Sequence, residues 1–129
     1  MKVFSATTSP LKILIVEDEA IIALDIKNIL RRLGYRIFEM ASSGEESIQK
    51  ADHIQPDLVL MDIRLKGEID GVKAAEKIYE RFHMPVVYIS ADGEDKEEQL
   101  TKASAFIKKP FEEEEIKTVL RRLFAQNFN

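Results

Sequence analysis

Short, nearly unbroken runs of branched apolar residues that stop abruptly at a polar group constrain this chain more than any other feature. Leu11 to Val16 (LKILIV) stops at Glu17, Leu58 to Met61 (LVLM) at Asp62, and Val86 to Ile89 (VVYI) at Ser90. Runs this short with so little alternation are what a strand buried on both faces requires, because a strand with one wet face alternates polar and apolar residues. A fainter run, Tyr35 to Met40, and a brief one, Ala105 to Lys108, bring the expected strands to five.

The segments between these runs have helical period. From Ala20 to Leu33, Ile22, Ile26, Ile29, Leu30 and Leu33 recur at three and four, and Gly34 supplies a stop. Ser43 with Glu46 three residues later has the form of a capping box, Ile48 and Ala51 then face inward, and Pro56 ends that helix. Asp70 and Gly71 open a third helix with Ala74, Ala75, Ile78 and Phe82 on one face. A last helix from Glu112 carries Ile116, Val119, Leu120 and Leu123 on its inner stripe, with Glu112 to Glu115 and then Arg121 and Arg122 complementing its dipole. Between Asp92 and Lys102, Leu100 is the lone large apolar residue, so a helix there has little to anchor it and is expected to be the loosest element.

Parallel strands need crossover helices, and those helices cover both faces of the sheet. The pattern therefore predicts an α/β fold: a doubly wound, five-stranded parallel sheet flanked by helices. At 129 residues the chain fits one domain. Residues 1–10 read as a loose tail, residues 11–127 as the domain, and no output domain is expected after it. A hydrophobic fraction of 45% with 33% charged residues excludes both a disordered and a membrane-embedded chain. The net charge of -4 argues against direct nucleic-acid binding, which needs a basic face. Absence of cysteine removes disulfides and thiolate chemistry and fits a reducing compartment, so a cytoplasmic location is expected. No apolar run is long enough for a membrane span, and the first ten residues lack the apolar centre of a secretory signal.

In open parallel sheets, ligands sit beyond the carboxyl ends of the strands. The residues placed there are Glu17, Asp18 and Glu19 after the first strand, Asp62 after the third, Ser90 and Ala91 after the fourth, and Lys109 and Pro110 after the fifth. Crowded carboxylates repel unless a cation offsets them, and oxygen donors without His or Cys favour Mg²⁺, with Mn²⁺ as a substitute. Such a site suits phosphoryl transfer. Each residue has a plainer explanation alone: an acidic helix start for Glu17 to Glu19, a turn residue for Asp62, a solvated cation for Lys109, a core ring for Phe106. A carboxylate closing an all-apolar buried strand is nevertheless costly unless something binds it, and the set together outweighs the separate explanations.

From Leu11 to about Phe124 the chain resembles the response-regulator receiver family, the flavodoxin-like, CheY-like fold of two-component signalling. The landmarks are Glu17 and Asp18, Asp62 in LVLMD, Ser90 in YISA, and Lys109 with Pro110 in FIKKPF. The resemblance implies a phospho-acceptor module with at most slow autodephosphorylation, not a turnover enzyme. Asp62 would accept a phosphoryl group from a sensor histidine kinase or a histidine phosphotransfer protein. Asp18, Asp62 and the Arg64 backbone carbonyl would hold Mg²⁺ directly and Glu17 would hold it through water. Ser90, the Ala91 N–H and Lys109 would hold the phosphoryl oxygens, and the bond before Pro110 would be cis. Phe106 occupies the switch position, more often a tyrosine. The downstream target is not specified, and homodimerisation through the family's fourth helix, fifth strand and fifth helix is left open. MDIRLKGEIDG also resembles receivers in sensory proteins carrying PAS and histidine-kinase modules.

Other classes fare worse. A haloacid-dehalogenase-type phosphatase would place a second acid two residues after its nucleophile, where this chain has Arg64. A flavin carrier would need a phosphate-cradling first loop, which Glu17 to Glu19 would repel. A phosphorylation-independent scaffold would not need the intact acidic and basic set. Arg64 and Asp92 are placed to attract each other at the site mouth and slow phosphoryl loss, or to be unrelated surface charges. His53 and His83 receive no role.

Overall fold

The computed structural model describes residues 11–65, 67–90 and 105–127. Five parallel strands form one sheet: β1 (Lys12–Val16), β2 (Ile37–Ala41), β3 (Leu58–Asp62), β4 (Val86–Ser90) and β5 (Ala105–Lys108), in the order β2-β1-β3-β4-β5. That order is one of the two common doubly wound arrangements, with its switch point between β1 and β3. Four helices are described: α1 (Ala20–Arg32), α2 (Gly44–Ile54), α3 (Gly71–Phe82) and α4 (Glu113–Asn127). None of them is long and apolar enough to cross a membrane. The expected tail, Ala91, Asp92 and the helix expected before Lys102 lie outside the described residues.

Successive strand residues point to opposite faces, so one sheet serves two cores. Ile13, Ile15, Leu58, Leu60, Val87 and Ile89 face the side covered by α1 and α4, where Ile26, Leu30, Ile116 and Leu120 meet them. Leu14, Val16, Val59, Met61, Val86 and Tyr88 face the other side, where Ala51, Ala74, Ala75 and Ile78 of α2 and α3 meet them. β3 and β4 are buried along their whole length. This explains why their sequences show no alternation.

Helix ends follow local chemistry. The Asp70 side chain accepts from the Lys73 N–H at the start of α3, and the Ser43 hydroxyl accepts from the Glu46 N–H at the start of α2. The return half of the expected capping box is displaced by one residue, because the Glu46 carboxylate accepts from the N–H of Ser42, at 2.8 Å, instead of Ser43. The second strand begins at Ile37, two residues later than the apolar run implied. Gly34 turns with φ 100°, a backbone region open to glycine, and the Tyr35 N–H then donates to the Leu30 carbonyl, so Tyr35 closes α1 rather than starting β2.

Candidate functional site

The carboxyl ends of β1, β3, β4 and β5 lie side by side. Register places Asp62 beside Ile89 and Ser90 beside Lys108. Backbone bonds carry this alignment past the strands, from the Ile63 N–H to the Ile89 carbonyl at 3.0 Å and from the Lys109 N–H to the Ser90 carbonyl at 2.6 Å. Glu17, Asp62 and Ser90 are each 4% exposed, among the few buried polar residues described.

Glu17, Asp18 and Asp62 each offer a carboxylate oxygen, and these atoms lie within 4.8 Å of one another. Lys109 reaches into the same place. Its Nζ stands 3.2 Å from Glu17 Oε1 and 3.8 Å from Asp62 Oδ1. The other Glu17 oxygen accepts from the Glu19 N–H at 3.1 Å, and Asp62 Oδ1 accepts from the Arg64 N–H at 3.1 Å. Burial, and next the nearby Asp62 charge, push the Glu17 carboxyl up to about 7 against the opposing pull of the Glu19 N–H and Lys109. Among the described residues, Lys109 is shared between Glu17 and Asp62, and the Glu17 carboxyl is raised in spite of it. A donor set of three carboxylate oxygens fits a hard divalent cation of the Mg²⁺ kind and not a soft metal.

The chain matches the family model described as "Response regulator receiver domain" over residues 13–121. This chain belongs to the response-regulator receiver family. The receiver is 37% identical over 105 residues to the transcriptional regulatory protein PdtaR of Mycobacterium tuberculosis, a match covering 79% of this chain and 51% of PdtaR. It thus spans about half the length of that relative. Among solved structures it resembles the N-terminal domain of a response regulator/sensory box/GGDEF three-domain protein from Carboxydothermus hydrogenoformans, with 36% identity, TM-score 0.80, and coverage of 92% of this chain and 99% of that one. It also resembles the receiver domain of a sensor histidine kinase from Pseudomonas aeruginosa that was solved with magnesium coordinated in its active-site cleft. There the identity is 28%, the TM-score 0.79, and the coverage 88% of this chain and 97% of that one.

The structure brings together Glu17, Asp18, Asp62 and Lys109, with Ser90 at the adjoining strand end. The Lys109–Pro110 bond is cis, as the family resemblance implied. Phe106 is half-buried on β5 against the cluster containing Tyr88. His53 lines a groove with Lys12 and Ile37 at the opposite, amino end of the strands, and His83 ends α3 against the Tyr79 ring.

Two features of the receiver site were not foreseen. Lys109 pairs most closely with Glu17, not with Asp62. Gly71 opens α3, but its larger role is spatial: a Cβ there would run into the Asp62 carbonyl oxygen and lie 2.9 Å from the Ile63 Cα. The Gly71 N–H donates back to the Ile63 carbonyl at 3.1 Å, so α3 begins pressed against the backbone that carries Asp62. The signal available in sequence was a glycine opening the helix that follows the acidic strand end.

Proposed function

We propose that Asp62 accepts a phosphoryl group from the phosphohistidine of a sensor histidine kinase or histidine phosphotransfer protein, and that the resulting acyl phosphate alters protein binding. The observation that carries this reading is the meeting of three carboxylates from two strand ends with the Lys109 ammonium over a buried parallel sheet. In the step itself an Asp62 carboxylate oxygen forms a bond to phosphorus while the phosphorus–nitrogen bond of the donor breaks, and the electron pair returns to the imidazole ring.

Asp18, Asp62 and the Arg64 carbonyl would hold Mg²⁺ directly and Glu17 would hold it through water. When bound, the ion supplies charge neutralisation for the phosphoryl oxygens. Lys109, now shared between Glu17 and Asp62, would turn to a phosphoryl oxygen and stabilise charge that builds during transfer. The Ser90 hydroxyl and the Ala91 N–H would accommodate the remaining oxygens, and Phe106 would respond by reorienting its ring.

Incubation with acetyl phosphate and Mg²⁺, followed by intact-mass measurement, tests this directly. One phosphoryl adduct is expected, absent with chelator and absent in Asp62→Asn. An adduct that survives in Asp62→Asn, or none in the wild-type chain, would refute the assignment.

A further inference from the structure

At the other end of α1, far from the acidic strand tips, the chain concentrates positive charge around a concavity. Lys27 and Arg31 of α1, Gly34, Tyr35 and Arg36 of the following turn, and Phe38 of β2 line a cavity of about 520 Å³. No acidic residue is among these lining residues. Alternation along β2 sends the neighbouring Glu39 to the opposite face of the sheet, where it pairs with Lys50 at 3.6 Å. Among the described residues, Lys27, Arg31 and Arg36 take part in no ion pair, whereas Arg32 alongside them pairs with Glu113 at 2.8 Å.

A plain electrostatic explanation exists for part of this cluster. Cations in the last turn of a helix complement its dipole, and Arg31 and Arg32 are so placed. It does not extend to Lys27, which precedes the last turn, or to Arg36, which lies beyond the helix end. Arg31 is also held in place: its guanidinium lies 5.8 Å over the centroid of the Phe38 ring, and Nη1 donates to Asn28 Oδ1 at 3.4 Å. A guanidinium oriented by an aromatic face presents its remaining N–H groups as a ready fork for phosphate oxygens. Tyr35 offers a half-buried aromatic wall braced against Phe124 at 5.9 Å.

We propose that this cavity is a second binding site, separate from the acidic one, for a small phosphorylated ligand of the nucleoside-diphosphate class. The phosphates would lie among Lys27, Arg31 and Arg36 and the planar base would lie against Tyr35. The volume falls within the range of small-molecule sites. Cations on both the helix and the turn, with the Tyr35 ring among the same lining residues, match a ligand that is anionic at one end and aromatic at the other.

The test is titration of the full chain with ADP in the presence of EDTA, followed by amide NMR, with adenosine and pyrophosphate as separate arms. Saturable shifts are expected at Gly34, Arg36 and Phe38 and not at Asp18 or Asp62. Affinity should fall at least tenfold in Arg36→Glu and in Lys27→Glu, with acetyl-phosphate labelling of both variants unchanged. No shift at these amides by about 1 mM ADP, the weak end of specific binding, would overturn the proposal. So would equal binding in both charge-reversed variants. Adenosine binding as tightly as ADP would overturn the anionic half of the assignment, and pyrophosphate binding as tightly would overturn the nucleoside half. Because the NMR map is read on the wild-type chain, a variant that failed to fold would leave the localisation decisive.

Discussion

Glu17 offers the most direct quantitative probe of the receiver site. Its carboxyl is pushed up to about 7 from an ordinary 4.5, first by burial and then by the Asp62 charge. Between those two pH values the native chain keeps a proton that the unfolded chain has lost, so stability falls as pH rises across the window. The contribution is complete below pH 4.5 and gone above about 7. At 1.36 kcal/mol per unit, the interval amounts to about 3 kcal/mol. Urea unfolding of the metal-free protein at pH 5 and pH 8, set against Glu17→Gln, isolates this group from the other carboxylates. From pH 5 to pH 8 the stability of wild type relative to the variant should fall by about 2.5 kcal/mol, because at pH 5 the unfolded carboxyl has already lost most of its proton. Millimolar Mg²⁺ should recover much of the loss at pH 8, since binding requires the ionised carboxylates. A difference that stays flat with pH would show that Glu17 is not forced to hold a proton, and the charge crowding inferred from the geometry would be wrong.

Gly71→Ala should destabilise the fold by about 2 kcal/mol or more, because its Cβ would meet the backbone of Asp62 and Ile63 and not a movable side chain. The urea midpoint reads the cost, and Mg²⁺ affinity should drop with it. Lys109→Ala removes the ammonium shared by Glu17 and Asp62 and should slow acetyl-phosphate labelling at least tenfold, while Mg²⁺ binding, followed by calorimetry, persists. Ser43→Ala removes the α2 cap and should cost about 1 kcal/mol in urea unfolding with labelling unchanged, since the cap satisfies a backbone N–H and does not touch the site.

The sheet was legible because β3 and β4 are buried on both faces, and continuous burial writes itself as continuous hydrophobicity. Placement of Asp62 and Ser90 followed from where those runs stop. β2 is an edge strand with mixed exposure, and its start was misplaced by two residues because Tyr35 looks like a strand residue while its N–H completes the turn after α1. In the capping box, sequence spacing identifies the Ser–Glu pair, but the turn geometry decides which N–H the carboxylate reaches. Which acid Lys109 contacts could not be read from spacing at all, because the two residues are 92 apart and meet only through the sheet order. The crowding at Gly71 was hidden for the same reason: close approach between backbones leaves no mark on residue chemistry beyond the choice of glycine.

The division of the interior into two layers has its own consequence. Side chains on the α1 and α4 side interlock with one another, and those on the α2 and α3 side do likewise, with the strand backbones as the partition between them. A methyl group removed beneath α4 and another removed beneath α3 leave voids with no common wall, so their costs should simply accumulate. Such a chain can vary the surface borne by one pair of helices across generations while the opposite packing goes undisturbed, the strand tips being the place where both halves answer to the same chemistry.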